Sequence, residues 1–196
     1  ISYSSNIYLD QGFNFSNNTL QKDILNFLKD RFKYYLKEKN IRHDIIEAAT
    51  KNLNLNSISL VFAKAKSLNR VINKSIGEDI VSSYKRASNI LHSEIKDISS
   101  ELDNTTDPGI FKNDYEKNFY KKTNELKNYF SEISKTQNLD DLLVLLSTAK
   151  RDVYDFFDNV KVNDEDAHIK KNRLELLQML CRTFDYYINF SNIETK

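Results

Sequence analysis

Cysteine occurs once in these 196 residues, at Cys181; proline and methionine also occur once each, glycine three times and tryptophan not at all. A single cysteine excludes an internal disulfide and fits a reducing compartment, so a cytoplasmic location is the expectation. One proline and three glycines are too few to turn the many short strands of a sandwich or barrel. An excess of charge of either sign is also missing. Lys and Arg number 29 against 28 Asp and Glu, a net charge of +1, so no broad basic field draws in polyanions and any such contact must come from local patches. No apolar run approaches the length of a membrane span. There is no signal-like segment, and the sequence starts at Ile1 without Met, which suggests a piece excised from a longer protein.

What is present is enough apolar material for a core, 40% of residues, of which much recurs at helical spacing. The abundance of Lys, Asn and Ile points to an AT-rich genome and not to a special chemistry. Residues 1–17 have no clear period and read as an incoming extended segment or linker, leaving 18–196 as one helical domain. A helix starting near Asn18 or Thr19 carries Leu20, Ile24, Leu28, Phe32 and Tyr35 in one stripe, while Lys22, Lys29, Lys33 and Lys37 fall on another, solvated face. Further helices are expected at about 44–52 with Asp44 as cap, 57–72, 78–102, 113–135 and 138–160, and from near Asn163 onward. Asp103 to Gly109 is the clearest break. In the last helix Asp164, Glu165 and Asp166 would occupy the first turn, at the positive end of the dipole. The short connections predict an all-α fold, an antiparallel bundle of about six to seven helices.

The residues of catalysis are not assembled in this pattern. His43, His92 and His168 stand far apart, and none has a second His or Cys at metal-ligand spacing. His43-Asp44 is similar to the metal-binding pair of HD phosphohydrolases, but the further His and Asp ligands have no counterpart. Consecutive acids at 164–166 point in different directions on a helix and cannot readily share one ion. Cys181 lies on an apolar face and reads as packing. No Gly-rich phosphate loop or nucleophile elbow occurs. The expectation is a domain that catalyses nothing by itself, with neither a metal nor a cofactor of its own.

Three blocks are more specific than amphipathicity. The first is Phe27-Leu28-Lys29-Asp30-Arg31-Phe32, continuing to Ile41-Arg42-His43-Asp44-Ile45-Ile46-Glu47-Ala48. The second is Ser83-Tyr84-Lys85-Arg86-Ala87-Ser88-Asn89-Ile90-Leu91. The third runs from Phe156-Phe157-Asp158-Asn159-Val160 through Asn172-Arg173-Leu174-Glu175-Leu176-Leu177 to Phe190-Ser191-Asn192-Ile193. Together, in this order, they resemble the carboxy-terminal anticodon-binding (DALR-like) domain of bacterial glycyl-tRNA synthetase beta subunits, over roughly residues 24–193. The third block is also similar to the helical anticodon-binding domain of arginyl-tRNA synthetases, whereas the Tyr-Lys-Arg-x-x-Asn-Ile block favours the glycyl family. Gly109 and Ile110 stand where relatives often carry Ala and Leu.

The resemblance implies a beta subunit paired with a separate alpha subunit in an α2β2 assembly that joins glycine to tRNA(Gly). ATP and Mg2+ would act at the catalytic site of the alpha subunit, and this bundle, attached to the remainder of the beta subunit, would read the anticodon arm. Anticodon bases in a loop are unstacked and can be held by flat side chains and edge hydrogen bonds. Anticodons for glycine end in two cytosines, which need carboxylate or carbonyl acceptors as well as cationic or amide donors. The candidates are Lys85, Arg86 and Asn89 on the exposed face of the fourth helix, with Asn172 and Arg173 on the last, and Arg31 and Arg42 for phosphate contact. Arg173 has a second reading, as a clamp on a turn lined by Asp158, Asp164 and Asp166, and Arg31 beside Asp30 can be structural in the same way. Tyr186, Tyr187 and Phe190 could stack on bases, although the core has first claim on most of them. Two competing functions are a helical scaffold that docks a protein without touching RNA, and an HD-type metallohydrolase, which would carry a divalent metal.

Overall fold

Periodicity dictates the helices, and the capping residues set their ends. The computed structural model describes residues 7, 8, 10–12, 17–51, 53, 57–95, 102, 105–133 and 139–194. Among them are eight α-helices and no strand: α1 (Asn17–Glu38), α2 (His43–Thr50), α3 (Ile58–Val71), α4 (Ser75–Ile95), α5 (Asp114–Ile133), α6 (Leu139–Ser147), α7 (Ala149–Asn159) and α8 (Ala167–Asp185). Short 3-10 turns cover Pro108–Ile110 and Phe190–Asn192. The expected all-α bundle is observed. Most of the expected incoming segment 1–17 lies outside the described residues, as does most of the expected extension of the fourth helix to 102.

Three expected boundaries shift for identifiable reasons. The helix expected over 138–160 is two, because Ser147 and Thr148 donate their hydroxyls back to the carbonyls of Val144 and Leu145, three residues earlier in each case, and interrupt the ladder. Asp44 is not a cap: α2 already starts at His43, and the cap position falls to Arg42. The last helix begins at Ala167 and not near Asn163, so Asp164, Glu165 and Asp166 precede it. Asp166 is its N-cap, accepting the amides of His168 and Ile169.

α4 is the central helix. It packs on α8, α6 and α7, and more lightly on α3, while α5 packs on α7 and α8. Ile80, Tyr84, Ala87 and Leu91 bury the inner stripe of α4 against Leu177, Leu180 and Phe184 of α8 and Leu142, Val153 and Phe156 of the interrupted pair. The Phe119 and Phe156 rings stack with centroids 4.8 Å apart, joining α5 to α7. Gly77 permits the tight passage from α3 to α4, since a Cβ there would lie 2.4 Å from the Ile72 Cα and the Val71 carbonyl oxygen. Ser67 and Arg70 of α3 both reach Asp140 of α6, the arginine at 2.7 Å.

α1 and α2 form a second layer. α1 ends in a Schellman turn with Asn40 at φ 56°, and the amides of Asn40 and Ile41 return to the carbonyls of Lys37 and Leu36. Of the stripe expected on α1, Phe32 is buried, whereas Leu28 and Tyr35 are exposed along with Leu25, Phe27 and Tyr34. Leu36, one residue beyond that stripe, is fully buried. Tyr115, on α5, is exposed too.

Candidate nucleic-acid interface

The last helix is organised by the two residues that open its first buried turn. Arg173 donates from Nε to Glu116 Oε1 at 2.6 Å, and from Nη1 to Asp164 Oδ2 at 2.7 Å and the Lys161 carbonyl at 2.9 Å. Glu116, only 1% exposed, is doubly used. Its other oxygen accepts the amides of Lys112 and Asn113, while Asn113 Oδ1 accepts the amide of Glu116, a reciprocal cap that starts α5. Asp164 also accepts the Asp166 amide, and that bond, with Arg173 and Lys112 beside it, holds its carboxyl below the usual range. Asn172 grips the backbone of Asp107 from both sides, accepting its amide at 2.7 Å and donating to its carbonyl at 2.9 Å. These two buried residues thus tie the 105–113 connection and the 160–166 turn onto α8. Of the two roles considered for Arg173, the geometry describes the clamp, although its acids are Glu116 and Asp164, not Asp158 or Asp166.

Arg42 is equally committed. It makes a two-point contact with Asp44 at 3.1 and 2.6 Å, and donates to Asn73 Oδ1 and the Glu194 carbonyl. Asp44 in turn accepts the Glu194 amide at 2.9 Å, so the chain from both sides of the molecule converges here. Arg31 is exposed and lies over the Phe27 ring at 5.1 Å.

The α4 candidates diverge. Arg86 lies between the Tyr154 and Phe157 rings, 4.7 and 4.9 Å from their centroids, and reaches Asp158 Oδ1 at 2.8 Å. Lys85 leans the other way, to the Ser191 carbonyl at 3.4 Å. Asn89 is exposed between them, one turn further on. The sequence candidates therefore occupy several places: the α8 clamp, the Arg42 junction, the α4 surface and the exposed side of α1.

Sequence reasoning left the two ends of α8 undistinguished. Tyr187 and Phe190 are core residues, and Phe190 packs with Tyr84 and Phe184 in one aromatic cluster. Tyr186 is 60% exposed. The signal for this was legible, since Tyr186 falls about 200° around a helix from Phe184, on the side away from the apolar stripe. Asp185, beside it, accepts the Phe190 amide and the Tyr84 hydroxyl, and burial raises its carboxyl above the usual range. Lys64 donates to the Tyr186 carbonyl at 2.8 Å, and burial lowers its ammonium. Among the described residues no group of His, Cys, Asp and Glu is placed to hold a metal ion, and no helix is long and apolar enough to cross a membrane.

Residues 80–195, which run from α4 to beyond α8, match the DALR anticodon binding domain. The glycine–tRNA ligase beta subunit of Rickettsia bellii (strain OSU 85-389) is 33% identical over 171 residues, covering 87% of this chain and 24% of that protein. The beta subunit of the same ligase from Rickettsia prowazekii (strain Madrid E) is 30% identical over 195 residues, 98% of this chain and 27% of that protein. That of Rickettsia typhi is 30% identical over 178 residues, 90% of this chain and 25% of that protein. The chain therefore spans about a quarter of the length of these curated relatives.

Proposed function

We propose that this chain, which belongs to the DALR anticodon binding domain family, binds the anticodon arm of tRNA(Gly) as one domain of a glycine–tRNA ligase beta subunit. The observation that carries the reading is the family match over 80–195, which coincides with the unit formed by α4 to α8. The names of the relatives supply the amino acid and the subunit. In this reading the domain supports the joining of glycine to tRNA(Gly) but forms no bond itself. Adenylation with ATP and Mg2+ belongs to a separate alpha subunit in an α2β2 assembly in the cytoplasm. The remainder of the beta subunit would cover the exposed apolar residues of α1, Leu25, Phe27, Leu28, Tyr34 and Tyr35. Lys85, Arg86, Asn89 and Arg31 remain the proposed RNA contacts that reach solvent. Asn172, Arg173 and Arg42 would act by fixing the frame that presents them.

The test is binding of this chain to tRNA(Gly) and to the same tRNA with both anticodon cytosines replaced, at low and at moderate salt. Preference for the native anticodon that survives added salt is the expected result. Equal binding that vanishes with salt would reduce the contact to diffuse electrostatics. The exposed apolar side of α1 would then favour the second reading, a scaffold that docks protein alone.

A further inference from the structure

Tyr186 stands between two clefts. One, of about 360 Å³, is lined by Lys64, Asp185, Tyr187 and Asn189 together with small and apolar residues of α2 and α3. The other, of about 130 Å³, is lined by Lys127, Glu175, Gln178, Met179, Arg182 and Thr183. The larger falls within the roughly 300–1,000 Å³ of small-molecule sites. The Tyr186 ring is tilted by 33° against that of Phe130, 6.3 Å away between centroids, and cations line the cleft on either side of it. Lys64, Lys127 and Arg182 make no ion pair with a carboxylate among the described residues. Among the described residues the Lys64 ammonium donates to a carbonyl, that of Tyr186 itself, and it lies over the Tyr187 ring at 5.7 Å. A buried acceptor, Gln178 Oε1, is left without a donor on the wall of the smaller cleft.

A flat ring 60% exposed to solvent, flanked by cations that make no ion pair with a described carboxylate, has the two components of a single-stranded nucleic-acid contact. Any base can stack on the ring, and the cations neutralise the adjoining phosphates. A double helix keeps its bases stacked and offers none to such a ring.

We infer that Tyr186 is a stacking platform for an unpaired nucleotide of single-stranded RNA, whose flanking phosphates are met by Lys64, Lys127 and Arg182. The inference rests on the RNA-binding reading above and adds to it a place: the carboxy-terminal end of α8, away from the clamp at its start. Lys64 is fixed by its bond to the Tyr186 carbonyl, so platform and cation move together.

The experiment uses the 196-residue chain with two probes, intact tRNA(Gly) and a short unstructured oligoribonucleotide carrying 2-aminopurine, whose fluorescence falls when it stacks. Wild type should quench the oligonucleotide. Tyr186→Ala should abolish the quench and weaken binding about tenfold, which is about 1.4 kcal/mol, with the melting temperature held. Tyr186→Phe should retain both. Lys127→Gln and Arg182→Gln should each weaken binding and lower the salt slope by about 0.7, the value for one single-strand phosphate. Quenching without preference for tRNA(Gly) would uphold the platform while removing the anticodon reading. Preferential tRNA binding that Tyr186→Ala leaves unchanged would overturn the platform and leave the anticodon reading standing. Absence of RNA binding by the wild type would overturn both.

Discussion

The two ends of α8 use charged residues in opposite ways. At the start, Arg173 is 4% exposed and spends its donors on two carboxylates and a carbonyl. At the end, Arg182 is exposed, beside an open tyrosine, with no ion pair to any described carboxylate. A buried cation must be paired because desolvation would otherwise leave its charge uncompensated, so the first end is locked by its own chemistry. An exposed cation bears no such penalty and keeps its donors for another molecule. Sequence reasoning ranks an arginine by its neighbours in the chain. Here the deciding neighbour of Arg173 is Glu116, on another helix.

The largest test of this contrast is Arg173→Ala. It strands Glu116 at 1% exposure, and should cost about 3–5 kcal/mol in a urea melt. An unchanged midpoint would mean that the closed end is not closed. Asn172→Ala should follow with about 1–3 kcal/mol, since both backbone groups of Asp107 lose their partner. Arg86 is the intermediate case, half-exposed yet held by two rings and an acid. Arg86→Ala should cost about 1–2 kcal/mol by the same measurement, from cation–π contacts of about 0.5–1 kcal/mol each and a weak surface ion pair. An effect on RNA binding beyond that loss would place Arg86 in the interface as well as the frame. Arg182→Ala should shift stability by less than about 0.5 kcal/mol while weakening RNA binding, the reverse of Arg173→Ala.

The smallest effect concerns Asp185. Burial raises its folded value, so the native state holds the proton more tightly than the unfolded chain does. The stability tied to that proton is complete below the ordinary carboxylate range and is lost as pH rises through the folded value. Asp185→Asn removes this dependence. The melting temperature of the variant minus that of wild type should therefore rise from acid to neutral pH, and a flat difference would show the carboxyl to be unperturbed.

Much of the frame was legible because core positions repeat with the helix. Along α4, α6, α7 and α8 apolar residues recur at helical spacing, and Ile80, Tyr84, Leu142, Phe156, Leu174 and Phe184 are all buried. α1 was misread beyond Phe32 because amphipathicity marks a face that wants cover without showing that this chain covers it. The break at Thr148 was hidden by an unbroken apolar stripe; what interrupts the helix is hydroxyl chemistry. At the candidate site, Asp164 lies close enough in sequence to suggest a clamp, whereas Glu116 is separated from Arg173 by 57 positions. Tyr186 could have been set apart from Tyr187 by phase. Lys127 and Lys64 could not have been joined to it, because each comes from a different helix.

The junction of Arg42, Asp44 and Glu194 also bears on the order in which the molecule is made. Asp44 bonds a backbone amide 150 residues further along the chain. During synthesis α2 can form early, but its buried carboxylate receives that amide only when nearly the whole of this sequence has been translated. Such long-range closures come late, because the loop entropy must be lost before the contact is gained. Glu194 therefore closes a junction opened at Asp44, and a product stopped short of it would carry the helices of the family without the bond that joins α2 to the segment after α8.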